Sequence, residues 1–455
     1  MNLPRVLLAA TASGSGKTMI TCGILQALVN RGIKVASFKC GPDYIDPMFH
    51  SKVIGTKSAN LDTFFSSEKI TRHLLMENFK GSDLAVMEGV MGYYDGIAGI
   101  STKASAYDLA KVTDTPVILI VNCRGMSLSL TACIQGFLQY RMDSRICGII
   151  LNQMSPMLYK RMKNQLEEEL KIPVFGYVPR MDDCAIESRH LGLVLPEEVP
   201  QLKEKLHKLA NKLEETLDME AILQCAQNAS QLSEEHLLEE DPVFQWKLKE
   251  PMRIGLAEDE AFCFFYKDNL RLLQNMGAQI VPFSPLHDAH LPKDLDGILL
   301  YGGYPELHGQ KLEENKSMRH DILEALKRQI PCLAECGGFM YLHETMEDLD
   351  GKPHQMIGYL KGKVYHTGKL SRFGYITLED PILGQIPAHE FHYYDSENCG
   401  TAMHASKPQS HIGWDCMHRK DRGLAGFPHL YYYGNPKIGK YFLEGCIKYR
   451  QERER

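Results

Sequence analysis

A glycine-rich turn near the amino terminus is the feature that most constrains this chain. The segment Ala10-Thr11-Ala12-Ser13-Gly14-Ser15-Gly16-Lys17-Thr18 follows the apolar run Val6–Ala9 and leads into a helical pattern over Met19–Asn30. A phosphate-binding loop requires this strand–loop–helix context, because glycines let backbone N–H groups converge on phosphate oxygens. Thr11 stands where the first glycine of such loops normally lies. We therefore predict a parallel α/β domain that binds a nucleoside triphosphate.

The residues of this loop have predicted roles that follow from their chemistry. The backbone of Gly14, Ser15 and Gly16 would surround the phosphates, and Lys17 would add a positive charge. The hydroxyl of Thr18 would ligate Mg²⁺ bound with ATP.

The length and composition of the chain exclude several classes of protein. A chain of 455 residues predicts two or three domains, and a formal net charge of -6 argues against nucleic acid as the main partner. Thirteen scattered cysteines without zinc-type pairs are typical of reduced thiols in the cytoplasm. No apolar run is long enough to span a bilayer, and the first strand begins too early for a secretory leader. We expect a cytoplasmic protein with no membrane partner.

Short apolar runs alternate with helical patterns, as in parallel sheets with crossover helices. We predict two α/β domains, 1–235 and 251–455, joined by a linker at 236–250 that is charged and ends before Pro251. The predicted strands are Val6–Ala9, Val35–Phe38, Leu84–Met87, Val117–Val121, Gly148–Leu151 and Val174–Val178 in the first domain, and Arg253–Ala257, Ala278–Phe283, Gly297–Leu300 and Pro331–Glu335 in the second.

A cysteine follows the last of these strands, in Leu333-Ala334-Glu335-Cys336-Gly337-Gly338. On such a turn the thiol of Cys336 would face the positive end of a helix, which predicts a lowered thiol pKa and a nucleophile. The amide of Gly337 and that of Gly303, after a neighbouring strand, would stabilise an oxyanion. The thiol also needs a general base. The second domain contains thirteen histidines, and the sequence pattern does not indicate which of them is the base.

Several further motifs, taken together, resemble the cobyrinic acid a,c-diamide synthase family. They are Phe38-Lys39-Cys40-Gly41-Pro42-Asp43-Tyr44-Ile45-Asp46, Asn60-Leu61-Asp62, Glu88-Gly89-Val90-Met91-Gly92-Tyr93-Tyr94-Asp95-Gly96, Arg189-His190-Leu191-Gly192-Leu193, Gly302-Gly303-Tyr304-Pro305-Glu306-Leu307-His308 and Arg372-Phe373-Gly374-Tyr375. The resemblance implies a dethiobiotin-synthetase-like P-loop domain fused to a flavodoxin-like class I glutamine amidotransferase domain.

The implied activity joins the two predicted sites. Cys336 would release ammonia from L-glutamine, and the first domain would use ATP to activate carboxylates as acyl phosphates. Two acetate side chains of a corrinoid or tetrapyrrole would become amides, in an enzyme that acts as a monomer or homodimer. The resemblance selects His429 as the base for Cys336. Class I relatives usually carry a glutamate two positions after this histidine, where this chain has Tyr431.

Polar residues at the carboxyl ends of first-domain strands would serve the synthetase step. Glu88 ends a strand in a Walker-B-like position, so we predict a Mg²⁺ site formed by Thr18, Asp46 and Glu88. Asn152 looks like an asparagine that contacts adenine in related ATPases. By the same resemblance, the macrocycle would be positioned by Asp43, Tyr44, Ile45 and Asp95.

The alternative functions differ in the macrocycle, in the number of amidations or in the class of protein. The same motifs occur in enzymes that act on nickel-sirohydrochlorin or hydrogenobyrinic acid, and the sequence does not separate these macrocycles. A relative that performs four amidations, cobyric acid synthase, fits Gly41–Asp46 less well. A different class of protein, the partner-regulated ATPase switch, carries a second lysine early in its loop where this chain has Ala12, and offers no reason for Cys336.

Overall fold

The structure is a computed structural model that describes residues 2–181, 184, 199–232, 241–420 and 423–455. The chain divides into two compact units, Met1–Glu235 and His236–Arg455. The motif at 189–193 and the first five residues of the predicted linker, 236–240, lie outside the described residues. Within the described ranges, no helix is both long and apolar enough to cross a membrane.

The first unit is built on seven parallel strands in the order β3-β2-β4-β1-β5-β6-β7. All six predicted strands are present, and the edge strand β3 is an addition to the prediction. The strands are β1 (Arg5–Ala10), β2 (Val35–Cys40), β3 (Lys57–Leu61), β4 (Leu84–Glu88), β5 (Val117–Asn122), β6 (Ile146–Asn152) and β7 (Val174–Val178).

Helices cover the faces of this sheet, and for that reason its central strands are apolar on both sides. They are α1 (Lys17–Asn30), α2 (Ile45–Phe49), α3 (Glu68–Phe79), α4 (Ala106–Val112), α5 (Ser129–Tyr140), α6 (Pro156–Leu170), α7 (Val199–Thr216) and α8 (Met219–Gln227). A π-helical turn, His50–Ile54, extends α2. Every residue of β1 and β2 is buried, including Arg5 and Lys39, so these two cations must find partners inside the protein.

The end of α7 packs tightly against β7 at Gly176. This glycine has φ +133°, and a Cβ there would overlap the carbonyl oxygen of Thr216 and lie 2.8 Å from the Cα of Leu217. Gly176 and Leu217 also form an isolated antiparallel bridge. The register of β7 on β6 shifts between Ile149 and Ile150, which places the glycine at this contact.

The second unit has a six-stranded sheet in the order β20-β21-β11-β10-β8-β9, which is parallel except for the edge strand β20. Its four predicted strands are all present. The sheet consists of β8 (Met252–Ala257), β9 (Ala278–Phe283), β10 (Gly297–Leu300), β11 (Cys332–Glu335), β20 (His418–Lys420) and β21 (Gly423–Gly426). The helices of this unit are α9 (Pro242–Gln245), α10 (Lys267–Asn275), α11 (Gly309–Glu314), α12 (Lys316–Lys327), α13 (Gly337–Tyr341) and α14 (Lys437–Arg453).

Two smaller sheets, largely antiparallel, were not predicted. Their orders are β13-β12-β14-β17 and β19-β18-β15-β16-β22. The strands are β12 (His343–Glu347), β13 (Pro353–Gln355), β14 (Leu360–His366), β15 (Arg372–Asp380), β16 (Gly384–His392), β17 (Tyr394–Ser396), β18 (Met403–Ser406), β19 (Gly413–Cys416) and β22 (His429–Leu430). The second sheet carries His429 on its edge strand, beside His389 of β16.

The cysteines differ from the expectation in one respect. Cys147 of β6 and Cys225 of α8 form a disulfide, so the prediction that all thiols are reduced is wrong for this pair. The two residues are 78 positions apart, and sequence spacing gives no sign that the fold brings their sulfurs together. The other eleven cysteines, Cys336 among them, are free.

Two glycine substitutions should have opposite effects on the stability of the first unit. Gly176→Ala should lower it by about 2 kcal/mol, since the new Cβ meets backbone atoms at a positive φ. Gly136→Ala, inside α5 with open space around it, should raise stability by about 1 kcal/mol.

Thermal unfolding followed by calorimetry measures both changes. The melting transition of the first unit should move down by about 6 °C for Gly176→Ala and up by about 3 °C for Gly136→Ala. A neutral Gly176→Ala variant would contradict the packing of α7 on β7.

Candidate active sites

The phosphate-binding loop lies between β1 and α1, as predicted. Gly14 and Gly16 have φ of +75° and +85°, which residues with a Cβ rarely adopt. The side chain of Asn152, at the end of β6, donates from Nδ2 to the carbonyl oxygen of Ser15 at 2.8 Å. A Cβ on Gly16 would overlap the same Nδ2 atom. Asn152 therefore stabilises the conformation of the phosphate-binding loop in this structure. Its contact with adenine stays a prediction.

The lysine of the loop is buried against the segment that follows β4. Its Nζ donates to the carbonyl oxygen of Met91 at 2.9 Å, and Lys17 is 8% exposed. Burial lowers the pKa of Lys17, and the charge of Lys39 lowers it further. Since β1 and β4 are adjacent parallel strands, their carboxyl ends bring Lys17 and the Glu88 segment together.

A cluster of charged side chains lies beside the loop. The hydroxyl of Thr18 donates to Oε1 of Glu88 at 2.6 Å, and Nζ of Lys39 donates to the same oxygen at 2.7 Å. Lys39 also forms an ion pair with Asp46 and lies 4.0 Å from Asp43. Thr18, Asp46 and Glu88, the three predicted Mg²⁺ ligands, are thus brought together around one ammonium group.

Opposing effects set the ionisation of these groups. Burial would raise the pKa of Glu88, but its interactions with Lys39 and His50 outweigh burial, and the pKa of Glu88 is lowered. Burial and the neighbouring Glu88 raise the pKa of Asp46 to about 7. Burial opposes the charge of Lys39, yet Glu88 and Asp46 raise the pKa of that ammonium. Glu88 and Lys39 therefore remain a charged pair at neutral pH.

Sequence reasoning assigned no role to Lys39 or to His50, which also faces this cluster. His50 is fully buried, and its Nε2 lies 3.5 Å from Oε2 of Glu88. Lys39 directly follows the predicted apolar strand Val35–Phe38 and is the fifth of the six residues of β2. A lysine at that position was a usable signal, because a buried ammonium requires an acidic partner. His50 gave no comparable signal.

The residues predicted to hold a macrocycle make local contacts in this structure. Oδ1 of Asp43 accepts from the backbone N–H of Ile45 at 2.8 Å and of Asp46 at 3.3 Å, at the start of α2. Tyr44, between them, is 9% exposed. Oδ2 of Asp95 accepts from Gly92 N at 2.9 Å within its own turn. These contacts shape the two loops, and the substrate-binding roles stay predictions.

In the second unit, Cys336 occupies a strained turn between β11 and α13. Its φ of 46° and ψ of −108° lie outside the favoured regions for a residue with a Cβ. The backbone N–H of Cys336 donates to Gly426 O at 2.8 Å. A Cβ on Gly338 would overlap the carbonyl oxygen of Leu300. The sharp turn thus depends on a glycine packed against the neighbouring strand.

The thiol does not have the lowered pKa that the sequence suggested. Cys336 is 7% exposed, and burial raises its pKa, with a further increase from the carboxyl group of Glu306. Helix α13 has only five residues, so its dipole is small beside the cost of burying a thiolate. The surroundings of the sulfur are nonetheless not purely apolar, since Glu306, Glu335 and Glu390 all act on it electrostatically.

The two predicted oxyanion donors lie together. A Cβ built on Gly337 would be 3.1 Å from the backbone nitrogen of Gly303 and 2.9 Å from the ring of Pro305. Gly303 itself packs on the carbonyl group of Ala261, where no side chain fits. This arrangement is compatible with two N–H groups directed at one oxygen atom, and the oxyanion role stays a prediction.

His429 lies at the same edge of the sheet. Its Cε1 would be 2.7 Å from a Cβ on Gly302, the residue before Gly303, and its ring stacks on that of His389 at 4.8 Å. Burial, assisted by His392, lowers the pKa of His429 to about 3. A neutral imidazole beside the Gly302–Gly303 turn can accept a proton. Sequence reasoning did not identify Glu335, whose Oε2 lies 4.0 Å from Nδ1 of His429.

The raised pKa of Cys336 can be tested by alkylation. In the protein without glutamine, iodoacetamide should modify Cys336 faster as pH rises from 7 to 9, since only the thiolate reacts. Glu306→Gln should increase the rate at pH 8 about threefold or more, because it removes a negative charge that disfavours the thiolate.

Mass spectrometry of the peptide that contains Cys336 measures this rate. Glu444→Gln, which changes an exposed carboxylate on α14, serves as the control and should leave the rate unchanged. An equal or slower rate in Glu306→Gln would show that this carboxyl group does not act on the thiol.

Comparison with known proteins covers both units. The family model of the CobQ/CobB/MinD/ParA nucleotide binding domain matches residues 6–194, and that of the CobB/CobQ-like glutamine amidotransferase domain matches residues 253–432. A cobyrinate a,c-diamide synthase of Caldanaerobacter subterraneus subsp. tengcongensis is 38% identical, over 97% of this chain and 98% of the relative. Proteins of the same name from Listeria innocua and Clostridium acetobutylicum are 37% and 36% identical, over 95% and 96% of this chain and 97% and 99% of theirs.

Proposed function

Because the chain belongs to the cobyrinate a,c-diamide synthase family and is a glutamine-hydrolysing ligase, we propose that it amidates the a and c acetate groups of cobyrinic acid. ATP and glutamine are its co-substrates. The observation that carries the proposal is the presence of two separate reactive sites on one chain. One is the loop with Lys17 and Glu88, and the other is the turn with Cys336.

The second unit would supply ammonia. The proton of the Cys336 thiol passes to His429, and the sulfur attacks the side-chain amide carbon of glutamine. The negative oxygen of the tetrahedral intermediate faces the N–H groups of Gly303 and Gly337. The C–N bond then breaks as His429 returns the proton to the leaving nitrogen, which gives ammonia and a thioester. Water hydrolyses the thioester to glutamate and frees the thiol.

The first unit would activate the acid. A carboxylate oxygen of the macrocycle attacks the γ-phosphorus of ATP, and the bond to the β-phosphate oxygen breaks, which leaves ADP and an acyl phosphate. Ammonia adds to the acyl carbon, phosphate leaves, and a proton is lost to give the amide. Lys17 and the N–H groups of Gly14–Gly16 would stabilise the charge on the phosphates. Lys39 is close enough to Asp43 and Asp46 to place positive charge near an incoming carboxylate.

The residues of the first site fit the Mg²⁺ that such a reaction uses. Thr18, Asp46 and Glu88 present hard oxygen donors, and Oε2 of Glu88 is buried without a hydrogen bond in the described part of the chain. We propose that these three residues hold the metal. When bound, Mg²⁺ would neutralise phosphate charge.

The reaction also requires a specific macrocycle as substrate. Cobyrinic acid is favoured by the names of the relatives, with hydrogenobyrinic acid and nickel-sirohydrochlorin as the alternatives. We propose that Asp43, Tyr44, Ile45 and Asp95 help to position it. Comparing kcat/KM for cobalt, metal-free and nickel macrocycles, with product masses, decides among the three. A cytoplasmic location and a monomeric or homodimeric state remain predictions, the first supported by the need for ATP and glutamine.

We expect Cys336→Ala to abolish glutamine-dependent amidation and to retain amidation with added ammonium salts. The thiol is needed only to free nitrogen from glutamine, whereas the carboxylate is activated at a different site. Mass spectrometry should detect two successive mass changes, each corresponding to replacement of OH by NH₂, on cobyrinic acid with either nitrogen source in the wild type, and only with ammonium in the variant. A partner-regulated ATPase switch would release no ammonia from glutamine even in the wild type.

The reciprocal variant is Lys17→Ala, which should lose amidation with both nitrogen sources. Removing this cation should reduce ATP-dependent activation by at least about 100-fold, since transition-state charge on the phosphates is no longer balanced. Turnover driven by ammonium salts at the wild-type rate in Lys17→Ala would reject the assignment of the first site.

A further inference from the structure

Class I amidotransferases usually orient the catalytic histidine with an acid two positions later, and this chain has none there. The residue at that position, Tyr431, donates its hydroxyl to Oδ2 of Asp268 at 3.0 Å. Tyr431 is therefore engaged with α10. Some other group must fix the ring of His429 if it is to act as a base.

Glu335, directly before the nucleophile, is the acid that the fold brings to His429. Its Oε2 lies 4.0 Å from Nδ1 of that histidine, and both side chains are 3% exposed. The same oxygen accepts from the backbone N–H of Leu430, the neighbour of His429, at 3.3 Å. Oε1 has no hydrogen-bond partner within the described ranges. A buried carboxyl group that is only half satisfied requires an explanation.

We propose that Glu335 is a positioning residue that takes the place of the missing acid and holds His429 by its Nδ1–H. The inference rests on the proposed glutaminase reaction and adds a third residue to it. With Nδ1–H directed at the carboxylate, the lone pair of Nε2 is left for the thiol proton. When that proton arrives, the imidazolium charge is compensated by Glu335. The separation of 4.0 Å would have to shorten to hydrogen-bond length when glutamine binds, and catalytic hydrogen bonds are often long without substrate.

The ionisation of Glu335 would then control glutamine hydrolysis. Burial raises the pKa of Glu335 well above its usual range, so activity should fall as pH decreases through that pKa and the carboxylate is protonated. The other titratable groups around it are Tyr301, Tyr432, Cys336 and His429. Burial raises the pKa of both tyrosines and of the thiol, and it lowers the pKa of His429 to about 3. Of these four groups only His429 titrates on the acid side of neutrality, at about 3, and its titration is still present in a Glu335→Gln variant.

The test is the pH profile of glutaminase kcat/KM for Glu335→Gln, measured as glutamate release. We expect kcat to fall about 100-fold and the acid-side decrease that Glu335 causes to disappear. Glu335→Asp should restore part of the rate and the pH dependence. Amidation with ammonium salts should be unchanged, which shows that the first unit is unaffected, and the partial rescue by Glu335→Asp shows that the second unit tolerates a change at this position.

Two control variants test whether the acid-side decrease in activity is caused by Glu335. Tyr431→Phe removes the phenol at the usual acid position and should retain the acid-side decrease. Glu306→Gln removes the other buried acid near the thiol, and burial raises the pKa of this acid to about 7. This variant should retain the part of the acid-side decrease in activity that Glu335 causes.

The outcomes separate this inference from the proposed function. A wild-type protein that releases no glutamate from glutamine would reject the proposed function itself. A wild type that is active, with Glu335→Gln equally active, would overturn the inference alone. A slower Glu335→Gln enzyme with an unchanged pH profile would do the same, because a purely structural side chain would lower the rate without moving the titration.

Discussion

Parallel hydrogen bonding between buried strands is the constraint on which both sites depend. In a parallel sheet all strands end at one edge, so residues far apart in sequence meet there. In the first unit this edge joins the loop after β1 to Glu88 of β4 and Asn152 of β6. In the second unit, β10 and β11 deliver Gly303 and Cys336 in the same way.

The two units differ in how they stabilise buried ionisable groups. In the first, Lys39 lies between Glu88 and Asp46, so a carboxylate can stay ionised without solvent. In the second, no cation in the described part of the chain pairs with Glu306 or Glu335 in this way, and burial raises their pKa values and that of Cys336. The first site is thus held charged and ready for an anionic ligand. The second site therefore keeps its thiol protonated until a substrate and a base are in place.

The sequence predicted the α/β class, both reactive loops and all ten of the parallel strands assigned from it, because long apolar runs and glycine turns are local signals. The antiparallel sheets were missed, since β12–β19 are mostly short strands with few apolar runs. The lowered pKa expected for Cys336 was wrong, because a motif carries no information on burial. Lys39 and Glu88 are 49 positions apart, and Glu335 and His429 are 94 positions apart. The sequence does not show that these residues are close in space, and the fold does. The roles of individual site residues stay predictions.

The packing of Gly338 has a consequence for how this sequence can diverge. The atom that excludes a side chain there belongs to the backbone of Leu300, so no exchange of neighbouring side chains would make room. Selection on folding alone would therefore keep a glycine at this codon. A descendant that had lost the sulfur, and with it the chemistry, would be expected to retain the glycine. In a newly sequenced member of this lineage, that residue alone would be evidence of ancestry and not of activity.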